Sequence, residues 1–261
     1  MAIDTKLISQ LREMTGAGIA DCKASLEEAN GDLDKAIEVL RKKGAVKAAK
    51  KSDRATSEGV IAQVVSGNKV ATVGLSCETD FVARTESFLQ TVDDYAKKLM
   101  EDGETSFKSW ADEMIKNELI TKVGENIQLS IAEIVEGEVL GTYIHSNKKI
   151  ASVVVLKGGT QAVANELAMQ VAAMSPQYVR PDEVTQDVMD REKDIYREQL
   201  KTEGKPEAMW DKIIPGKLNK FYQEVCLLNQ PFIKEDKLSV QEWLEQQGAE
   251  IEIVKFSRYS I

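Results

Sequence analysis

The sequence is poor in the residue types from which enzymes build most active sites. Its 261 residues contain one histidine, His145, and three cysteines that lie far apart and form no CxxC pair. A Ser/His or Cys/His pair therefore has a single candidate, and neither a disulfide framework nor a zinc site is expected. The chain also has no GxxxxGK[ST] phosphate loop and no GxGxxG between a strand and a helix. These absences favour a binding protein over an enzyme, with no cofactor and no bound metal.

Long apolar runs and an excess of positive charge are missing as well. The N-terminus has no charged-then-apolar signal sequence, and no apolar run approaches the roughly 18 residues of a membrane span. The formal net charge of −9 argues against nucleic acid as the main ligand, because affinity for nucleic acid depends on neutralising phosphates. We therefore expect a cytoplasmic protein that binds no membrane and no nucleic acid directly.

Residues 1 to about 44 predict three short helices separated by Thr15-Gly16-Ala17-Gly18 and Asn30-Gly31-Asp32. The apolar stripes are Leu7, Ile8 and Leu11, then Ile19, Cys22, Leu26 and Ala29, then Leu33, Ala36, Ile37 and Leu40. Gly44 is expected to end the third helix. The basic residues that follow, Lys47, Lys50, Lys51 and Arg54, are expected to form a mobile linker. A bundle this small has little core of its own and usually serves to dock a partner.

An internal repeat organises the rest of the chain. Residues 66–73 align with residues 146–153 without a gap when the chain is shifted by 80 positions. Each copy predicts a strand, a tight turn, a second strand and a helix. A third strand is expected over residues 127–131 in the first copy and over residues 250–256 in the second, because apolar residues alternate there. In the first copy, the alternation along residues 69–77 predicts a half-buried strand.

The predicted fold class is α+β. A three-helix module with its basic linker, residues 1–54, precedes two repeated antiparallel-sheet-plus-helix subdomains. The first subdomain covers residues 55–138 and the second residues 139–180 and 230–261. Residues 181–229 are highly charged and predict an antiparallel helical hairpin, interrupted in its second helix by Pro215-Gly216. Helices this polar bury too little area for a core element, so we expect a projecting arm that meets another chain, with a homodimer as one use.

The two copies of the repeat differ where the second strand meets the helix. The first copy carries Cys77-Glu78-Thr79-Asp80-Phe81-Val82-Ala83-Arg84, whereas the second turns through Lys157-Gly158-Gly159 directly into its helix. In a structural interpretation, Asp80 caps the first helical turn and Phe81 packs into the core. In a functional one, the carboxylate perturbs a cation or a hydrogen-bond network of a partner while the ring fills an apolar slot. A cap needed by the fold would be expected in both copies, which favours function, but composition leaves both interpretations open.

With the repeat and the strand-to-helix corner at residues 77–84 identified, the chain resembles the bacterial translation elongation factor Ts family over nearly its whole length. Thr79-Asp80-Phe81-Val82 matches the family signature TDFV. The run from Leu11 to Gly18, with Asp21-Cys22-Lys23, resembles the N-terminal module of the family, which is similar to ubiquitin-associated domains. Gly124-Glu125-Asn126-Ile127 and Gln230-Pro231-Phe232 match two further family stretches.

The resemblance implies a guanine-nucleotide exchange factor for elongation factor Tu. It implies that Thr79, Asp80, Phe81 and Val82 enter the partner near its bound Mg²⁺ and guanine nucleotide and dislocate the metal. Contacts of the N-terminal module with the partner are implied at Arg12, Thr15, Gly16, Gly18 and Asp21. The factor would bind the GDP-bound and nucleotide-free forms of elongation factor Tu, in a simple or a 2:2 complex.

Some family members carry a further C-terminal helix that packs against the partner. This chain stops at Ile261, just after the last predicted strand, so the contacts of that helix are not carried over. Two alternatives are weighed against the exchange factor: an adaptor or dimerisation scaffold that has no effect on nucleotide, and an enzyme that uses His145. A lone histidine near a turn is more often structural.

Overall fold

The computed structural model describes residues 3–248 and 250–261; the side chain of Lys47, assigned above to the linker, lies outside the described part. The fold is mixed α and β with small antiparallel sheets. The chain divides into two compact units. The first unit extends to Val135 and includes Ser146–Lys149 and Ser260–Ile261, and the second consists of Glu136–His145 and Ile150–Tyr259. The division into a module, two subdomains and an arm stays a prediction.

The first unit begins with the three predicted helices, α1 (Thr5–Thr15), α2 (Ile19–Glu28) and α3 (Leu33–Lys51). Asp4 and Asp32 cap α1 and α3 by accepting backbone N–H bonds. The helices enclose a small apolar cluster, whose fully buried members are Leu11, Cys22, Leu26 and Ala36. Ile19, which the sequence placed on an apolar stripe, is instead 58% exposed, because it stands at the first turn of α2 and points away from the cluster.

The end of α3 differs from the prediction. The helix does not stop at Gly44 and runs to Lys51, through residues that the sequence assigned to a mobile basic linker. Gly44 has a packing role: its missing side chain lets α3 approach the backbone of Asn117. The Lys51 ammonium donates to the Gly124 carbonyl, and Arg54 pairs with Glu78 at 3.4 Å. These contacts explain why the chain here is a helix end fixed to its neighbours.

The first sheet has the order β1 (Glu58–Ser66), β2 (Lys69–Cys77), β3 (Gln128–Glu136), and β1 pairs with β2 as the predicted antiparallel hairpin. The strand β2 lies in the middle. Every residue from Val70 to Cys77 is buried, so the prediction of a half-buried strand is wrong. The physical reason is that β2 is covered on both faces, and Ile131 of β3 occupies the space beside Gly74.

After a single-turn helix, α4 (Asp80–Ala83), four further helical elements connect β2 to β3. They are α5 (Glu86–Asp102), α6 (Glu104–Met114), a π-helical segment (Ile115–Leu119) and α7 (Ile120–Val123). α5 is the helix predicted after the second strand of the first copy, and it packs against β1 and β2. Gly124 ends α7 in the left-handed conformation, with φ of 87°. The chain then turns through Glu125 and Asn126 into β3.

The second unit repeats this plan. β4 (Val139–Ile144) pairs antiparallel with β5 (Ile150–Lys157), and α8 (Gln161–Met174) packs on both strands. A short pair, β6 (Pro231–Phe232) and β7 (Glu235–Ser239), leads into α11 (Val240–Gln247), which Ser239 caps. The last strand is β8 (Glu252–Ser260), beside β5 in the order β4-β5-β8. The sequence placed this strand at residues 250–256, two residues early at its start and four residues short at its end.

Two helices of the second unit form the predicted hairpin, α9 (Gln186–Thr202) and α10 (Trp210–Val225). They run antiparallel, since Lys217 donates to Gln199 at 3.0 Å and the Tyr222 hydroxyl donates to the Met189 sulfur at 3.4 Å. Pro215-Gly216 does not interrupt α10, contrary to the prediction. Pro215 is exposed, so the helix loses one hydrogen bond at its solvent face and continues.

Candidate functional site

The corner between β2 and α5 contains one turn of helix, α4 (Asp80–Ala83). Thr79 is its N-cap and accepts the Val82 N–H at 3.4 Å, and Thr85 caps α5 in the same way by accepting from Phe88 at 3.3 Å. Two caps six residues apart in sequence set the direction of the chain at both ends of the corner. The predicted strand-to-helix corner is therefore confirmed as a backbone feature.

The side chains of α4 divide between the core and solvent. Ala83 is buried and Val82 is half-buried, whereas the ring of Phe81 is 82% exposed. The structural interpretation of the sequence is therefore wrong on both counts, since Thr79 makes the cap and Phe81 does not enter the core. Burying a phenylalanine stabilises a fold by about 1.5–3 kcal/mol, a stabilisation that this chain does not use.

Asp80 lies beside the exposed ring. Its carboxylate, 44% exposed, pairs at 3.1 Å with the guanidinium of Arg84 one turn later on the same surface. An exposed ion pair at this spacing stabilises by only about 0.3–0.5 kcal/mol, so a partner that offers a stronger cation would displace Arg84 at little cost. The corner thus presents an apolar ring and an exchangeable carboxylate next to each other.

Glu125, from the turn between α7 and β3, holds the beginning of the corner. One carboxylate oxygen accepts the N–H groups of Glu78 and Thr79, both at 3.0 Å. The other accepts the Thr79 hydroxyl at 2.6 Å. Hydrogen bonds to a charged acceptor are about twice as strong as neutral ones, so the two residues that precede α4 are fixed by one side chain.

The connection is reciprocal, because Glu78 in turn holds the turn that carries Glu125. The Glu78 carboxylate accepts the Asn126 N–H at 2.6 Å and pairs with Arg54. The Asn126 side-chain amide, which is buried, donates to the Arg54 carbonyl at 2.8 Å and to the Ser52 carbonyl at 3.4 Å. The corner, the turn after α7 and the end of α3 are therefore one hydrogen-bonded network. Sequence reasoning noticed the residues at 124–127 only as a family match and missed this contact.

The candidate residues of the N-terminal helices surround the turn between α1 and α2. Arg12, Gly16 and Gly18 are exposed, and Thr15 and Asp21 are half-buried. The Thr15 hydroxyl donates to the Leu11 carbonyl at 2.7 Å, Gly16 adopts φ of 67°, and Gly18 is the N-cap of α2. This turn needs a glycine at Gly16 because the left-handed conformation disfavours a side chain.

Two apolar side chains at this turn are exposed, although the sequence analysis named neither as a candidate contact residue. Met14 is 57% exposed and Ile19 is 58% exposed, on either side of the glycines. Their exposure makes this turn a candidate contact surface. The sequence held one signal of this exposure: Met14 is a large apolar residue that lies outside the predicted apolar stripe of α1.

The described residues offer little for catalysis or metal binding. Within residues 3–248 and 250–261, no group of three or more His, Cys, Asp or Glu side chains gathers as metal ligands. His145 is exposed, with its Nδ1 3.2 Å from the Tyr143 hydroxyl. Burial raises the pKa of Cys77 and of Cys226 to about 11, and nearby carboxylates add to the shift, so both thiols are protonated at neutral pH. None of the helices in the described part of the chain is long and apolar enough to cross a bilayer.

An exposed aromatic ring on a corner held by hydrogen bonds is typical of a protein that works by contact with a partner. Comparison with known proteins gives the class as a translation elongation factor. A family model described as "Elongation factor TS" matches residues 78–261. The chain is 44% identical over 275 residues to elongation factor Ts of Hydrogenobaculum sp. (strain Y04AAS1), covering 100% of this chain and 99% of the relative. It is 42% identical over 285 residues to elongation factor Ts of Aquifex aeolicus (strain VF5), covering 100% and 98%. The chain belongs to the elongation factor Ts family.

Proposed function

We propose that the protein is a guanine-nucleotide exchange factor for elongation factor Tu, and that it acts in the cytoplasm without a cofactor. It binds the GDP complex, disturbs the Mg²⁺ site of the partner through Thr79, Asp80, Phe81 and Val82, and remains bound until GTP enters. The observation that carries the proposal is the 82% exposed ring of Phe81 on a corner fixed by hydrogen bonds.

The chemistry of magnesium makes such a corner effective. Mg²⁺ demands near-ideal octahedral geometry of oxygen and water ligands, so a small displacement of the residues around it weakens binding sharply. Phe81 enters between apolar side chains of the partner, while Asp80 leaves Arg84 and perturbs the hydrogen bonds around the cation. Thr79 and Val82 act on the shape of the corner through the cap and the half-buried contact. The nucleotide loses its metal contact and then leaves.

The cycle is driven by reciprocal coupling. A factor that prefers the nucleotide-free partner lowers the affinity of that partner for nucleotide, and incoming nucleotide lowers the affinity for the factor by the same ratio. A thousandfold faster release requires roughly 4 kcal/mol off the barrier. One displaced cation together with an interface supplies an effect of this size.

The N-terminal helices are the proposed docking surface. Met14 and Ile19 provide exposed apolar area beside the turn that carries Gly16 and Gly18, and Arg12 provides charge. Docking there holds the partner while the corner acts, so Met14→Ala should raise the concentration of factor needed for half-maximal exchange, and Phe81→Ala should lower the maximal rate.

The experiment is stopped-flow release of a fluorescent GDP analogue from elongation factor Tu across a series of Mg²⁺ concentrations. Wild type is compared with Asp80→Ala, Phe81→Ala and the double variant, and Val65→Ala serves as a control, since Val65 is 50% exposed in the same unit but lies at the far end of β1. Acceleration that is lost in the Phe81 variants and retained in Val65→Ala supports the proposal. Acceleration that ignores the corner would move the mechanism elsewhere on the interface.

The adaptor interpretation keeps one supporting observation, the exposed Met14 and Ile19, because a recruiting surface needs nothing from Phe81. It predicts that wild type binds elongation factor Tu without changing the rate of GDP release. The use of the α9–α10 hairpin in a homodimer or a 2:2 complex stays a prediction; sedimentation of the free protein and of its complex measures it directly.

A further inference from the structure

We infer that Glu125 is a positioning residue for Phe81, so that its carboxylate controls how strongly the corner acts on a partner without touching the partner itself. The inference rests on the proposed function, since a positioned ring matters only if the ring does work. It is carried by hydrogen bonds that neither the family signature nor the sequence repeat indicates.

The first step is that α4 cannot hold its own position. It contains only four residues, and a single helical turn fixes several backbone angles for very few hydrogen bonds. The N–H groups at the start of a helix also lack partners within that helix. Glu125 contacts the chain at this weak point, where it accepts both backbone N–H groups before Asp80 and the hydroxyl of the N-cap residue Thr79.

The second step is that Glu125 is itself held in place. Asn126 donates its N–H to Glu78, and its side chain donates to the carbonyls of Arg54 and Ser52 at the end of α3. Lys51 donates to the carbonyl of Gly124 on the other side. Because the residues on both sides of Glu125 are hydrogen-bonded to the end of α3, its carboxylate is held in place and can in turn hold the corner.

The third step comes from the second copy of the repeat, which solves the same local problem differently. Gly158 occupies the position that corresponds to Glu78, and its N–H is 3.4 Å from Glu138, the residue just before β4. In the first copy, the position of Glu138 is occupied by Glu58. Glu58 pairs with Lys149 at 2.5 Å instead. Because the second copy satisfies this N–H from the residue just before its own first strand, the carboxylate of Glu125 is a feature of the corner and not a requirement of the repeat.

The test compares Glu125→Ala with the conservative variant Glu125→Gln. The amide oxygen of a glutamine can accept the two backbone N–H groups, and its NH₂ can donate to the Thr79 oxygen, so geometry is kept while charge is lost. Glu113→Ala, an exposed carboxylate on α6, is the matched control. We expect Glu125→Ala to lower the maximal rate of GDP release about tenfold and to change the half-saturating concentration less than threefold, because small misplacements cost rate more than affinity. Glu125→Gln and Glu113→Ala should stay near wild type.

A second readout does not depend on exchange activity. Amide hydrogen exchange of Glu78 and Thr79, and ¹⁵N relaxation of Phe81 and Val82, are measured in the free full-length protein. We expect faster exchange and larger backbone motion in Glu125→Ala only, with the melting temperature showing that the variant is folded. Unchanged protection and unchanged motion would overturn the inference, as would an active wild type whose rate Glu125→Ala leaves intact.

Two further outcomes separate the proposals. Equal loss of rate in Glu125→Gln and Glu125→Ala with unchanged amide protection would assign the effect to charge and would overturn the positioning role. A wild type that does not accelerate release would remove the proposed function, and the amide measurements would then decide the positioning of the corner independently.

Discussion

Gly44 and Asn117 lie so close that a β-carbon on the glycine would stand 2.5 Å from the Asn117 carbonyl oxygen. The contact joins the middle of α3 to the π-helical segment between α6 and α7. It explains how a glycine, a residue that usually weakens a helix interior, is kept in one here. The absent side chain sets the distance between two helical elements.

We expect Gly44→Ala to destabilise the protein even though alanine favours a helix by about 1 kcal/mol over glycine. The overlap with the Asn117 backbone forces α3 outward and outweighs the propensity gain. Gly216→Ala in α10 is the matched control, since nothing lies within 4 Å of its position, and it should stabilise by about 0.5–1 kcal/mol. Urea unfolding followed by circular dichroism gives both free energies, and shifts of the same sign would contradict this account.

Phe81→Ala should leave stability nearly unchanged, within about 0.5 kcal/mol, because the ring is 82% exposed. Phe88→Ala, only seven positions later, removes a ring that is 2% exposed in the core of the first unit, and it should cost about 3–5 kcal/mol. Chemical denaturation of the two variants compares the same substitution at the two sites. A loss at Phe81 as large as that at Phe88 would mean that the ring packs against the protein.

Gln170→Leu should destabilise by at least about 2 kcal/mol, because it leaves buried polar groups without partners. The Gln170 amide donates to Gln230 at 3.2 Å and to the Pro231 carbonyl at 3.1 Å, and it accepts the Ile233 N–H at 2.9 Å. Gln90→Leu, on the exposed face of α5, is the control and should cost little. Thermal denaturation measures both, and a stable Gln170→Leu protein would mean that water or a rearranged strand replaces these bonds.

Stability should fall at alkaline pH through the buried thiols. Burial raises the pKa of Cys77 from 9.0 to about 11, so the folded state keeps the proton to higher pH than the unfolded state does. The contribution is complete below pH 9 and is lost as the pH rises from 9 through 11. Cys77→Ala should lower stability at neutral pH but make the loss between pH 9 and 11 shallower. Urea unfolding at pH 7, 9, 10 and 11 tests this, and an identical slope in the variant would exclude Cys77 as a source.

Periodic patterns predicted those helices and strands in which all residues on one face share the same environment. The β1–β2 hairpin and the helix that follows it, α5, were found from the internal repeat and its strand alternation. The same reasoning failed at Gly44, Pro215 and Ile19. In each case the outcome depends on what stands opposite the residue, the Asn117 backbone for the first and solvent for the other two, and a local pattern does not contain that information.

The candidate site was likewise predicted from the sequence only in part. The corner was located because it occurs in only one copy of the repeat, and the exposure of Phe81 agrees with the outward-facing interpretation, although its role stays a prediction. The contribution of Glu125 was out of reach, because its carboxylate meets Thr79 across 46 positions of sequence. That meeting depends on where a turn at the end of α7 arrives after a long helical path.

The π-helical segment sets the direction in which the chain leaves this helical path. Each residue of a regular helix advances the direction of the chain by about 100°, and a π turn accommodates one residue more than an α turn does. If the five residues Ile115–Leu119 wound as a regular α-helix instead, Phe107 and Ala111 would stay in the core, but the chain would turn about 100° further. The turn at Glu125 would then be rotated away from Thr79. The direction of the Glu125 carboxylate toward the corner therefore depends on how the helix before it is wound.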